Sequence, residues 1–135
     1  MKSIKVVAAI IFHNNQVLAT KRSYGDYINM WEFPGGKIEA NETKEDALKR
    51  EIREELDVDI SIHKHITTIE YDYPNFHLTM YCYYCTILSG TIKLSAHNEA
   101  RWLDYNNLTS VEWLPADIDL IQFLQKELEN KQFHL

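Results

Sequence analysis

The stretch from Trp31 to Val58 constrains this chain most, because it predicts a short strand, a glycine turn, a loop and then an acidic helix. Gly35 and Gly36 suit a tight turn, since glycine reaches positive φ without a Cβ clash. Thr43 is suited to cap the helix, with Asp46 three residues further on. The residues that follow are good helix formers, and one apolar stripe repeats every four residues at Leu48, Ile52 and Leu56.

Three carboxylates stand on one face of this predicted helix, because Glu51, Glu54 and Glu55 have the spacing i, i+3 and i+4. Like charges at this spacing repel and lower the stability of the helix. A hard divalent cation would turn the repulsion into binding, since Mg²⁺ and Mn²⁺ prefer oxygen ligands. The alternative is a solvated face of mixed charge, and the helix alone does not exclude it.

The spacing of the fixed residues in this stretch resembles the Nudix box, G-x5-E-x7-R-E-U-x-E-E-x-G-U with U aliphatic. The matching residues are Gly36, Glu42, Arg50, Glu51, Ile52, Glu54, Glu55 and Val58. The last glycine of the box is Asp57 here, and we expect Asp57 to adopt the left-handed conformation that ends many helices. Segments 31–37, 71–81 and 113–117 are similar to the MutT branch of the family in order and spacing.

The remaining elements predict an α+β fold of the α/β/α sandwich type. Strands are expected at residues 3–12, 17–22, 59–73, 76–88 and 101–103, with a hairpin turn at 13–16 and a terminal helix at 116–132. The resemblance implies a mixed β-sheet between helices. We expect residues 1–135 to form a single Nudix hydrolase domain.

Composition limits the partners and the compartment. A formal net charge of −6 argues against binding to a nucleic acid polymer. We expect no signal peptide and no membrane partner, because the apolar runs are short. Cys82 and Cys85 are three residues apart on a predicted strand, so they point to opposite faces. We therefore expect two reduced, packed cysteines rather than a zinc or disulfide site, consistent with a cytoplasmic protein.

The resemblance implies Mg²⁺-dependent hydrolysis of a nucleoside triphosphate to a monophosphate and pyrophosphate, with Mn²⁺ as a possible substitute. It implies metal ligands at the Gly35 carbonyl and at Glu51, Glu54, Glu55 and Glu99. Glu51 or Glu54 would be the general base, and the sequence does not choose between them. Gly36, Glu42 and Arg50 would have structural roles in the motif, with a phosphate contact as the alternative for Arg50.

Substrate-binding candidates lie outside the box at Arg22, Phe76 and Asp117. An ionised Asp117 would accept two hydrogen bonds from guanine but one from cytosine; the alternative is an acid favoured by a helix N-terminus. A surface arginine and a core aromatic are the alternatives for Arg22 and Phe76. The favoured substrate is an oxidised guanine nucleotide such as 8-oxo-dGTP, removed to cleanse the nucleotide pool.

Three other functions remain open: a CTP or dCTP pyrophosphohydrolase, a hydrolase of ADP-ribose or dinucleoside polyphosphates, and a Nudix module that binds a nucleotide without cleaving it. The sequence leaves undecided the base, the sugar, the number of metal ions and whether the protein is a monomer or a homodimer.

Overall fold

The computed structural model describes residues 1–95 and 97–127. The elements within these ranges are β1 (Lys2–His13), β2 (Gln16–Arg22), β3 (Trp31–Glu32), β4 (Gly35–Lys37), α1 (Lys44–Leu56), β5 (Asp59–Asp72), β6 (Phe76–Ser89), β7 (His97–Leu103), a 3-10 helix (Tyr105–Ser110) and α2 (Pro115–Glu127). Strand β7 begins four residues before the predicted strand. Residues 128–132 of the predicted terminal helix lie outside the described residues. Neither α1 nor α2 has the length and apolar character needed to cross a bilayer.

The sheet is mixed and has β1 at its centre. The strand order is β3-β2-β1-β6-β5, with β4 paired to β1 and β7 paired to β2. Strands β1 and β6 run parallel, from Lys2 opposite Phe76 to Ile11 opposite Cys85, and the other pairs are antiparallel. Asn14 and Asn15 have φ of 50° and 61°, which matches the twist of a two-residue hairpin turn.

Each face of the sheet carries its own apolar core, because successive side chains of a strand point to opposite faces. One core joins Ala8 and Ile10 of β1 to the buried side of α2. The other joins Val7 and Ala9 to α1, including its stripe of Leu48, Ile52 and Leu56. The predicted mixed sheet between helices is therefore confirmed.

The two cysteines lie on opposite faces of β6, as the strand prediction required. Cys82 belongs to the core under α2 and Cys85 to the core under α1. Both thiols are free and buried, and burial raises the pKa of each. The prediction of packed cysteines on opposite faces of the strand is confirmed.

Gly35 and Gly36 correct one prediction, because they form strand β4 and not a turn with positive φ. They pair with Ala8 and Val7 of β1, and the glycines with positive φ in the described chain are Gly25 and Gly90. Glycine is needed here for close approach. A Cβ on Gly35 would overlap the Val7 carbonyl oxygen, and one on Gly36 would overlap the Glu51 carboxylate.

Helix α1 has the ends that its sequence predicted. The Thr43 hydroxyl accepts a hydrogen bond from the Asp46 amide at 3.0 Å. Asp57 adopts the left-handed conformation, with φ of 58°, at the position where the Nudix box has glycine. Its amide donates to the Arg53 carbonyl, so the departure from the box leaves the helix end intact.

The two glycines of β4 should respond differently to alanine. Gly35→Ala forces a methyl group against the β1 backbone, and we expect the free energy of unfolding to fall by at least about 2 kcal/mol. Gly36→Ala meets a side-chain carboxylate that can rotate away, so the loss should stay under about 1 kcal/mol. Urea unfolding of both variants beside the wild type measures this. Equal losses would contradict the backbone contact assigned to Gly35.

Candidate active site

A cavity of ≈ 580 Å³ lies on the sheet beside the 23–30 loop and reaches the acidic face of α1. One part of its wall is aromatic and carries a carboxyl group, with Tyr73, Phe76 and Asp117. Another part joins the glycines of β4 to Glu51 and Glu55. The aromatic part suits a flat ring, whereas an anionic group would need a cation between itself and the carboxylates of the second part.

The three glutamates of the motif, Glu51, Glu54 and Glu55, differ in their exposure and contacts. The Glu55 side chain accepts a hydrogen bond from the Gly35 amide at 3.0 Å, which ties the helix to β4. Glu51 also lines the cavity, whereas the Glu54 side chain is 58% exposed. The helix thus presents two carboxylates to the cavity and a third to solvent at its edge.

Negative charge on this face is poorly compensated. Burial, with Glu32 and Glu51 nearby, raises the pKa of Glu55 to about 9. The pKa of Glu51 is also raised, chiefly by burial and against the effect of Arg50. Each shift reports a carboxylate that is costly to ionise where it stands, and a divalent cation at this face would offset that cost.

Arg50 ties the acidic helix to the loop before it. Its guanidinium binds both carboxylate oxygens of Glu42, at 2.6 and 2.9 Å, and donates to the Lys37 carbonyl at 3.0 Å. The hydrogen bond from Arg50 lowers the pKa of Glu42 to about 2. These contacts agree with the structural roles that the resemblance implies for both residues.

Arg50 also binds the proposed metal ligands, because its Nη1 donates to Glu51 at 2.9 Å and to Glu54 at 3.3 Å. Across residues 1–95 and 97–127, no three His, Cys, Asp or Glu side chains stand ready to hold a metal ion. The donor types nevertheless fit a hard cation, since all are oxygens. The missing Cβ of Gly36 leaves room for the Glu51 carboxylate. A cation bound by all three glutamates would compete with the contacts of Arg50 to Glu51 and Glu54.

Glu99 lies apart from the helix carboxylates, on strand β7 rather than on the expected loop. Thr20 is opposite Ala100 and Lys21 is opposite Glu99 in the β2–β7 ladder. Ala100 packs in the core under α1, so the neighbouring Glu99 points to the other face. Its carboxylate there pairs with Lys21 at 3.4 Å and with Arg101 at 2.7 Å. The structure does not bring this predicted ligand to the others.

Asp117 is buried in the cavity wall, with 4% exposure. Its Oδ2 accepts a hydrogen bond from the Phe33 amide at 2.9 Å. Burial, with Glu32 nearby, raises the pKa of Asp117 to about 8. Phe76 stacks on Tyr73 with ring centroids 4.9 Å apart, so both predicted residues lie at the aromatic part of the cavity.

Arg22 lines the cavity within a network that the sequence analysis missed. Its guanidinium donates to both carboxylate oxygens of Glu32 at 3.3 Å, and the His97 ring nitrogen Nε2 lies 3.0 Å from Glu32. Burial opposes ionisation of Glu32, yet the contacts from His97 and Arg22 hold its pKa below the ordinary value. Glu32 could have been noticed, because it is the one charged residue in the otherwise apolar segment 31–34. Its contact with His97, 65 residues away, has no signal in the sequence.

Comparisons with known proteins agree with this architecture. A NUDIX domain model matches residues 2–124. The CTP pyrophosphohydrolase of Escherichia coli is 30% identical over 123 residues, which cover 90% of this chain and 91% of that protein. The 8-oxo-dGTP diphosphatase of Haemophilus influenzae is 32% identical over 131 residues, 96% of each chain. A solution structure of MutT from methicillin-resistant Staphylococcus aureus is 40% identical with a TM-score of 0.73, covering 94% of this chain and 99% of that one.

A mixed sheet between helices, with an acidic helix facing a cavity, is an α+β fold with an acidic candidate active site. The chain belongs to the NUDIX domain family and is a hydrolase similar to the MutT proteins. The resemblance found in the sequence is therefore confirmed.

The raised carboxyl pKa values predict that stability falls between pH 5 and pH 8. In this window folded Asp117 and Glu55 retain protons that the unfolded chain has lost, so the free energy of unfolding decreases as pH rises. One such proton gives a slope of at most about 1.4 kcal/mol per pH unit. Asp117→Asn should flatten the slope in urea unfolding at pH 5, 6, 7 and 8 with EDTA.

The matched control is the wild type in the same buffers. His77, whose pKa is raised by Asp72 and Glu70, adds a fall of the same sign to both proteins. A slope unchanged by Asp117→Asn would show that Asp117 does not hold the extra proton.

Proposed function

We propose that this chain is a Mg²⁺-dependent nucleoside triphosphate pyrophosphohydrolase, with an oxidised guanine nucleotide such as 8-oxo-dGTP as the favoured substrate. The observation that carries the proposal is one cavity with an acidic part at Glu51 and Glu55 and an aromatic part at Phe76 and Asp117. The triphosphate and the base would each have a place there. The diphosphatase relatives support the same reaction class.

The cation would be held by the Gly35 carbonyl and by Glu51, Glu54 and Glu55. When bound, Mg²⁺ or Mn²⁺ neutralises phosphate oxygens and lowers the pKa of a coordinated water. Glu99 is left out of this set, because it faces the other side of the sheet. Glu42 has the role of holding Arg50, which must exchange partners when the helix carboxylates turn to a cation.

Hydrolysis forms one P–O bond from water to an internal phosphorus and breaks the P–O bond that bridges the α and β phosphorus atoms. The proton of the water passes to a carboxylate of α1, Glu51 or Glu54. Glu51 lines the cavity and Glu54 is open to solvent, so both stay candidates for the general base. The products are a nucleoside monophosphate and pyrophosphate.

Asp117 would read the base, and its protonation would matter. An ionised carboxylate accepts hydrogen bonds from N1 and N2 of guanine, and these bonds favour the ionised form. A protonated carboxyl group instead donates to N3 of cytosine and accepts from its amino group.

Hydrolysis of CTP or dCTP is therefore the alternative. It is favoured by burial of Asp117, which raises its pKa to about 8, and by the similarity to a CTP pyrophosphohydrolase. A non-catalytic module is disfavoured, since Glu51, Glu54 and Glu55 are all present.

A panel of nucleoside triphosphates with Mg²⁺, read for both products, tests the reaction. We expect equimolar monophosphate and pyrophosphate. Glu51 and Glu54 are each changed to Gln. The variant that lacks the general base should have a kcat about 100-fold or more below that of the wild type. Glu45→Gln is the matched control, because Glu45 is exposed in the first turn of the same helix. Release of inorganic phosphate alone would contradict the cleavage position, and tight binding without product would favour the non-catalytic module.

Asp117→Asn tests base recognition. Asparagine cannot become an anion, but its amide still donates to N3 and accepts from the amino group of cytosine. We expect kcat/KM for guanine nucleotides to fall about tenfold or more, and the value for cytosine nucleotides to change less. Steady-state rates on 8-oxo-dGTP, dGTP and dCTP measure the ratio. The same ratio before and after the substitution would show that Asp117 does not read the base.

A further inference from the structure

A further, half-buried carboxylate, Glu32, stands between the two parts of the cavity and has no role in the steps above. Its side chain lines the cavity and is 18% exposed. The amide of the next residue, Phe33, donates to Asp117, and the amide of Gly35 donates to Glu55. Glu32 is also the charged group that most raises the pKa of both acids. It therefore lies between the places proposed for the base and for the phosphates.

Two cationic or polar partners fix the orientation of this carboxylate. Arg22 donates from Nε and Nη2 to the two oxygens, each at 3.3 Å, and His97 Nε2 lies 3.0 Å from Oε2. These contacts use three of about four acceptor positions on a carboxylate. Glu32 is thus pre-oriented, charged and able to accept a further hydrogen bond from a group in the cavity.

His97, the second partner of Glu32, is itself incompletely hydrogen-bonded. Its side chain is 2% exposed and lines the cavity. Nε2 faces a carboxylate and so carries a proton, whereas the buried Nδ1 has no hydrogen-bond partner within the described ranges 1–95 and 97–127. A buried polar atom without a partner is costly, so His97 retains hydrogen-bonding capacity beside Glu32.

We propose that Glu32, oriented by Arg22 and His97, binds a sugar hydroxyl of the nucleotide and determines the sugar specificity of the enzyme. This inference rests on the proposed function. The sugar is the part of a nucleotide between base and phosphates, and its hydroxyl groups are the hydrogen-bond donors there. A hydroxyl donating to a carboxylate forms a strong, charge-assisted hydrogen bond. The same negative charge repels phosphate, which keeps the triphosphate at the acidic helix with its cation.

Three triphosphates with one base and different sugars test the proposal: ribose, 2′-deoxyribose and 2′,3′-dideoxyribose. In the wild type, kcat/KM should fall about tenfold or more at the step in this series that removes the hydroxyl bound by Glu32. Glu32→Gln, which keeps the shape but loses the charge, should reduce that dependence to about threefold or less. Glu112→Gln, an exposed residue outside the cavity lining, should keep the wild-type dependence. The ratio of kcat/KM between two sugars is measured on one protein preparation, so the folded fraction of that preparation cancels.

The role of His97 as a positioning residue has its own pair of variants. His97→Gln retains a donor toward Glu32 and should keep the dependence on the sugar. His97→Phe keeps an aromatic ring but removes the donor. In this variant kcat/KM should no longer depend on the sugar. If both variants keep it, His97 does not orient Glu32.

The outcomes separate this inference from the proposed function. If the wild type hydrolyses no triphosphate, the proposed function fails. If it hydrolyses them but discriminates no sugar, or if the discrimination survives in Glu32→Gln, the role of Glu32 is overturned while the function stands. Loss of the discrimination in Glu32→Gln alone supports the proposal.

Discussion

Carboxyl groups held away from water at the edge of helix α1 are the constraint on which the site depends. Docking of Leu48, Ile52 and Leu56 into the core fixes the rotation of the helix, and each buried side chain contributes about 1.5–3 kcal/mol. The carboxylates of Glu51 and Glu55 are adjacent to that stripe, so the same docking places them at the cavity. Apolar packing thereby offsets the cost of gathering like charges.

The glycines of β4 make this arrangement sterically possible. Gly35 lets β4 lie against the backbone of β1, and Gly36 leaves the volume that the Glu51 carboxylate occupies. Arg50 and Glu42 then hold the loop between β4 and α1 against the helix. Sheet, loop and helix are joined by contacts around one group of acids, and the spacing of the motif reflects that geometry.

Local patterns predicted much of the fold and the shared helix face of Glu51 and Glu55, whereas Arg22, Phe76 and Asp117 were candidates through the resemblance. The apolar stripe, the Thr43 cap, the left-handed Asp57 and the alternation of Cys82 and Cys85 depend on neighbours in sequence, and all agree with the structure. The resemblance supplied the sheet between helices, which local patterns alone do not specify.

The features that the sequence analysis missed or predicted wrongly depend on pairing between residues far apart in the chain. The face to which Glu99 points is set by the register of β7 on β2, with its irregularity after Lys21. The contact of Glu32 with His97 joins residues 65 apart. The conformation of Gly35 and Gly36 depends on their pairing with β1, and a glycine pair in sequence does not distinguish close approach from positive φ. No local periodicity encodes these features.

Titration of the folded protein with Mn²⁺, by calorimetry and by the loss of the free-ion paramagnetic signal, tests the central claim most directly. It should be done with and without a non-hydrolysable nucleoside triphosphate. We predict saturable binding that weakens at least tenfold, about 1.4 kcal/mol, when Glu51 and Glu55 are both changed to Gln. The Glu45→Gln protein should bind like the wild type. Absence of Mn²⁺ binding by the folded wild type under both conditions would contradict the assignment of these carboxylates as metal ligands.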